Sequence, residues 1–277
     1  MNLLDYRHDV YSSTGNDGII KKIFEILEIE NGFFVEFGAW DGIKGSNCRR
    51  LYENGWSGIF IEPELNRYRD LVKNYRDAKN IICINSAINR KENKFDNVVR
   101  GHVRSNIDFC SIDIDGLDLE IFESFEEFMP TVVCLEGGQM LEPLYPRVSE
   151  RVASKNIQQS LKVINDSFGQ RGYKILCSYQ DTFFVKEEYY DLFDVSNNIM
   201  ELYLAGLYVH HRRLPWIQFI ISQVGIKNKL IDYILQKSNY NKYGYNNRKL
   251  WTKEEKTITL EVIKELQNRF KEVKEKQ

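Results

Sequence analysis

Over the first two-thirds of this chain, short unbroken apolar runs alternate with stretches whose apolar residues recur at helical spacing. Gly32-Phe33-Phe34-Val35-Glu36-Phe37 reads as a strand buried on both faces, with an acid near its end. Runs of the same kind occupy 57–62, 81–85, 108–113 and 131–136, and all but the second of these end in a carboxylate. Between the runs, the spacing predicts helices over 19–27, 46–54, 65–74, 118–128 and 156–171. Ser46, Asn47 and Asp118 stand where helix caps belong. The polar stretch 89–105 predicts an irregular insertion, and 137–153, punctuated by Pro143 and Pro146, a loop. Two last strands, 173–177 and 182–185, are joined by so few residues that an antiparallel hairpin is expected.

Alternating β/α units closed by a hairpin predict a doubly wound α/β domain. Its sheet should be Rossmann-like, mostly parallel with an antiparallel terminal pair. Residues 1–195 are assigned to this domain. From about 199 the pattern changes: Trp216, Phe219, Ile220, Val224, Leu230, Ile231 and Ile234 mark an amphipathic stretch over 216–235. After a Lys/Asn/Tyr-rich link, Thr252-x-x-Glu255 is a capping box opening a helix striped with Leu260, Ile263, Leu266, Phe270 and Val273. Residues 196–277 are therefore expected to form a helical C-terminal extension that binds the acceptor or joins two copies as a homodimer. For 216–235, a membrane-surface role is the weaker alternative.

Composition narrows the class. With 277 residues and 43% hydrophobic content, the chain can bury one core of roughly 200 residues plus an appendage. A net charge of −2, from 38 basic and 40 acidic residues, supplies no whole-chain field for nucleic acid. Cys48, Cys83, Cys110, Cys134 and Cys177 are widely spaced and lack a Cys-x-x-Cys pair, which points to buried thiols in a reducing compartment. The first residues lack a charged-then-apolar leader pattern, and no apolar run approaches the roughly 18 residues of a membrane span. A cytoplasmic location is expected.

The chemistry gathers where strands end. Gly38 and Gly42 flank the turn after the first strand, and Asp41 lies inside it. Glycines let a ligand approach the backbone, while Glu62, one βαβ unit later, is placed to grip a ribose diol. The dinucleotide pattern Gly-x-Gly-x-x-Gly is absent, and an acid in this loop would repel a pyrophosphate but suits a cationic sulfonium. The expected ligand is S-adenosyl-L-methionine (SAM), held by Glu36, Phe37, Gly38, Ala39, Asp41, Glu62 and Pro63. Asn47 reads equally as a contact to its amino-acid moiety or as a helix cap. Ser86 and Ala87 read equally as neighbours of the adenine or as a plain strand end.

Asp113-Ile114-Asp115-Gly116 is the second signal. Alternation along an extended strand end puts Asp113 and Asp115 on one side, where like charges repel unless a cation or proton lies between them. Glu136 can add a third oxygen, giving a donor set for Mg²⁺ or Mn²⁺ rather than zinc. In the alternative without metal, one aspartate caps the next helix while Asp113 faces SAM. Asp115 and Glu136 are expected to orient the acceptor hydroxyl, and Gln139 to line its pocket. His210, paired with His211 beside Arg212 and Arg213, reads either as a general base near a phosphate contact or as solvated surface. His102, flanked by Arg100 and Arg104, reads the same two ways.

Four blocks carry a family resemblance, in the order the family has them. They are Tyr11-Ser12 with Asn16-Asp17-Gly18-Ile19, Phe34 through Gly42, Gly55 through Glu62, and Ser111 through Asp118. Over roughly residues 11–190 the chain resembles the FkbM-type SAM-dependent methyltransferases. The resemblance implies a class I methyltransferase fold and O-methylation of a sugar or nucleotide-linked sugar, in surface polysaccharide or glycan biosynthesis. It also implies Glu36 and Gly38 in the SAM loop, Glu62 on the ribose, and Asp113 and Asp115 near the reacting centre. The chain departs from the family at 13–16, where a glutamine and an acid are more usual. Two rivals follow from the same residues: a metal-dependent glycosyltransferase using Asp-x-Asp, and a non-catalytic scaffold of a glycan-assembly complex.

Overall fold

The computed structural model describes residues 1–209 apart from 104, 105, 140, 142, 155 and 156. A short 3-10 turn, Leu3–Tyr6, precedes α1 (Asn16–Ile26), β1 (Phe33–Phe37), α2 (Arg49–Glu53) and β2 (Ser57–Ile61). Next come α3 (Leu65–Tyr75), β3 (Ile81–Ile84), α4 (Phe95–Val99), β4 (Phe109–Ile112), α5 (Asp118–Phe122) and β5 (Val132–Glu136). The chain continues through α6 (Glu150–Ala153), α7 (Leu161–Gly169), β6 (Tyr173–Ser178), β7 (Asp181–Lys186) and α8 (Ile199–Val209).

The seven strands lie in the order β3-β2-β1-β4-β5-β7-β6. The first five are parallel, and β7 inserts antiparallel between β5 and β6. This is the Rossmann-like sheet expected from the sequence, mostly parallel with an antiparallel terminal pair. The strand sequence runs outward from β1 to β3, then returns to start again at β4. The switch between β1 and β4 opens a crevice at their carboxyl ends, where ligands bind in such sheets.

Alternation along each strand feeds two cores. Val35 and Phe37 on β1, with Ile59, Ile61, Cys110, Ile112, Val133 and Leu135, pack under α5 and α7. Phe34, Phe60, Phe109, Val132 and Cys134 face the opposite side, against Ile19, Ile23, Leu51 and Leu71 of α1 to α3. The first core is closed by a stack in which Phe168 lies between Phe122 and Phe184, with centroids at 3.6 and 3.8 Å.

Several helices are shorter than their periodicity, because side chains from elsewhere take their backbone partners. The Asp96 carboxylate accepts from the N–H groups of Glu126, Glu127 and Phe128, so the stretch predicted as helix to 128 ends at Phe122. α2 starts at Arg49 rather than 46, with the Ser46 hydroxyl accepting from the N–H of Cys48 and Arg49. The stretch 89–105, expected to be irregular, contains α4. α7 starts at Leu161, with the Ser160 hydroxyl as its cap. The 137–160 excursion has a small core of its own, built from Leu141, Tyr145, Val148, Ala153 and Ile157.

α8, which the sequence placed in the C-terminal extension, packs back on the sheet through buried Leu202 and Tyr203. The stretches 216–235 and 252–273 lie outside the described residues. Among the described residues, no helix is long and apolar enough to cross a membrane.

Candidate functional site

The loop leaving β1 is built from inward-turned side chains. Glu36, 4% exposed, accepts from the Ser46 hydroxyl at 2.6 Å and the Asn47 N–H at 2.8 Å, pinning the far end of the loop under the strand. Burial pushes its carboxyl up to about 7, and the bonds from Ser46 and Asn47 pull it partly back. The Phe37 ring is core, 5.3 Å from that of Phe95, so only its backbone faces the crevice. Ala39 is buried and donates its N–H to Ile61 O at 3.2 Å. Gly38 adopts φ +62°, and a Cβ there would stand 1.9 Å from Asp113 O. Only glycine lets the β1 and β4 loops meet so closely.

Glu62, at the end of β2, is 2% exposed and accepts from the N–H groups of Trp40 at 2.9 Å and Glu64 at 2.8 Å. Each carboxylate oxygen keeps a second lone pair for a ligand hydroxyl. Asp41 turns onto its own loop, accepting from the N–H groups of Ile43 and Lys44 at 2.9 Å. Pro63 is exposed beside Glu62, while half-buried Ser86 and exposed Ala87 follow β3, at the same end of the sheet. Asn47 is not a helix cap. It is buried, accepting from Asn16 Nδ2 at 2.8 Å and donating to Ser111 Oγ at 2.9 Å.

Beyond β4 the chain does not stay extended, as the alternation argument assumed. Asp115 takes φ +62° and Gly116 φ +135°, which turns the backbone sharply. Even so, Asp113, Asp115 and Glu136 converge, each offering an oxygen within 4.8 Å of the others. Hard oxygen donors at this spacing fit a single Mg²⁺ or Mn²⁺. Asp118 holds the turn: it is 1% exposed and accepts from the N–H groups of Ile114 and Gly116, both at 2.8 Å. Burial raises it to about 7. Glu136 is fixed from the other side by Gln158 Nε2, at 2.6 Å. Partial burial, then repulsion from Asp113 and Asp118, holds the half-buried Glu136 carboxyl above the ordinary carboxylate range.

Asp181, Asn16 and Thr14 form a bonded group at the same end of the sheet as Glu136; Asn16 stands in the first resemblance block, but none of the three was a candidate site residue. β7 sets Asp181 directly opposite Glu136. Asp181 accepts from Thr14 Oγ1 at 3.0 Å and Asn16 Nδ2 at 2.8 Å. The same Asn16 amide reaches Asn47, and Tyr179 donates to Asn16 Oδ1 at 2.5 Å. Thr14 and Asn16 fall in the segment 13–16 where the chain departs from the family it resembles.

Gln139 is buried, with its amide 3.3 Å from Ser178 Oγ. His102 is exposed and Arg100 pairs with Glu127, so both lie at the surface, while Arg104 lies outside the described residues. His210 lies outside the described residues.

No family model matches the chain, and no curated protein matches it. Among solved structures it is similar to TrmK of M. capricolum, determined with S-adenosyl-homocysteine. The identity is 13% over 89% of this chain and 96% of that one, with a TM-score of 0.43. A SAM-dependent methyltransferase from Aquifex aeolicus is similar at 12% identity over 60% of this chain and 86% of that one, with a TM-score of 0.39. Similarity at this level carries neither an activity nor a substrate to this chain.

Proposed function

We propose that the crevice binds SAM and that the protein transfers its methyl group to a hydroxyl of a sugar or nucleotide-linked sugar. The observation that carries this reading is the junction of two loops at the switch point. Gly38 is pressed onto Asp113 O, with Glu62 on one side and the carboxylates of Asp113, Asp115 and Glu136 on the other. One side offers an acid for a ribose diol, and the other a negative pocket for a sulfonium and a nucleophile. The sugar, and a place in glycan assembly, rest on the family resemblance.

In the proposed reaction an acceptor oxygen attacks the methyl carbon in line, so that the O–CH₃ bond forms as the S–CH₃ bond breaks. S-adenosyl-homocysteine leaves, and the hydroxyl proton passes to a carboxylate of Asp115 or Glu136. Glu136, held above the ordinary carboxylate range, is in its ionised form a better match for that proton than a solvated carboxylate. Asp113, Asp115 and Glu136 would hold Mg²⁺ or Mn²⁺, and such an ion lowers the pKa of a bound hydroxyl. Gln158 and Asp118 fix the carboxylates in place, and Gly38 sets the distance between the two halves.

The test is to incubate the full chain with SAM and a panel of free sugars and UDP- and GDP-sugars, with Mg²⁺ or EDTA. Release of S-adenosyl-homocysteine that depends on one of these acceptors supports the reading. Release of UDP or GDP without it would favour the glycosyltransferase instead.

A further inference from the structure

Among the described residues, three other than glycine have positive φ: Glu28, Trp40 and Asp115. Glu28 follows the C-terminus of α1, where a left-handed residue commonly ends a helix. Asp115 belongs to the acidic turn described above. Trp40 has no such explanation. At φ +50° a bulky aromatic is a true backbone outlier.

The strain is imposed from all sides. Trp40 N–H is held by Glu62 at 2.9 Å, and Gly42 N–H donates to Ala39 O at 2.7 Å. Asn74 Nδ2 donates to Asp41 O at 2.8 Å. The indole itself is 46% exposed and contributes little to the core. Trp56 shows the contrast: it is 2% exposed, and its indole N–H donates to Glu30 O at 2.8 Å. Beside Trp40, the Arg67 guanidinium lies 4.4 Å from the ring centroid and Lys44 Nζ 5.8 Å. A strained backbone thus holds up a large apolar ring at the crevice rim, one bond from the acid proposed to grip the ribose.

We infer that Trp40 is a ligand-binding residue whose indole packs against the nucleoside part of the adenosyl ligand. This rests on the SAM reading proposed above. The ring adds an aromatic face where Glu62 adds hydrogen bonds, and Arg67 braces it. Left-handed strain is retained because it aims the ring at the ligand, as strained residues at binding sites do.

The test compares the full-length wild type with Trp40→Gly and Trp40→Phe by calorimetric titration with S-adenosyl-homocysteine and by urea denaturation. Glycine removes the strain as well as the ring. Trp40→Gly should therefore keep or raise the denaturation midpoint while weakening ligand binding about tenfold or more. Trp40→Phe should keep most of the affinity and lose the ligand-induced change in tryptophan fluorescence. Wild-type affinity in Trp40→Gly would overturn the inference and leave the SAM reading standing. An absence of binding by the wild type itself would overturn both.

Discussion

Gly38→Ala probes the contact on which the geometry of the crevice depends. The added Cβ would lie 1.9 Å from Asp113 O, far inside the 3.0 Å that real Cβ contacts respect. Alanine at φ +62° costs about 1–2 kcal/mol for the left-handed backbone, and forcing apart packed loops about 1–3 kcal/mol more. The loops must part by about 1 Å, a displacement that can cost about 100-fold in rate. Gly45→Ala is the control, since Gly45 has φ +75° but nothing within 4 Å of its added Cβ. It should cost only the backbone share. Urea denaturation of both variants reads the difference, and titration with S-adenosyl-homocysteine reads the site. If Gly38→Ala costs no more than Gly45→Ala and binds ligand normally, the close approach of the β1 and β4 loops is not what shapes the crevice.

Two further outcomes follow from the buried acids. Glu36 and Asp118 are both held near 7, chiefly by burial, against an ordinary value of about 4. Their folded values are raised, so their contribution to stability is complete below about pH 4 and lost as pH rises through about 7. The urea midpoint should be higher at pH 5 than at pH 8, with Glu36→Gln flattening the dependence. A midpoint that climbs steadily across that range would refute this. Asp118→Ala should strand the N–H groups of Ile114 and Gly116 at a cost of about 2–4 kcal/mol. In hydrogen exchange those two amides should go from slow to fast, and unchanged protection would mean that Asp118 does not hold the acidic turn.

Much of this architecture is legible in the chain because each central strand is an apolar run ending in an acid. Once the runs are placed in order, topology alone brings Glu62, Asp113 and Glu136 to one edge of the sheet. What periodicity misses is supplied by partners distant in sequence. Asp96 truncates the helix after Asp118 by taking N–H groups 30 to 32 residues away. Asp181 comes opposite Glu136 only because β7 inserts beside β5, and its partners Thr14 and Asn16 lie more than 160 residues earlier. Glu36 ends an apolar strand as a ligand acid would, yet Ser46 and Asn47 draw it inward. A local reading cannot distinguish those two fates.

The central claim is that the crevice at the β1–β4 switch holds an adenosyl ligand with Glu62 on its ribose. The most direct measurement is a calorimetric titration of the purified full chain with S-adenosyl-homocysteine, repeated with Glu62→Ala. The account predicts saturable one-site binding by the wild type and a loss of at least about tenfold in the variant, as expected when a charged hydrogen-bond partner is removed. Saturable binding that Glu62→Ala leaves unchanged would move the ligand elsewhere. No binding to the wild type would contradict the account outright.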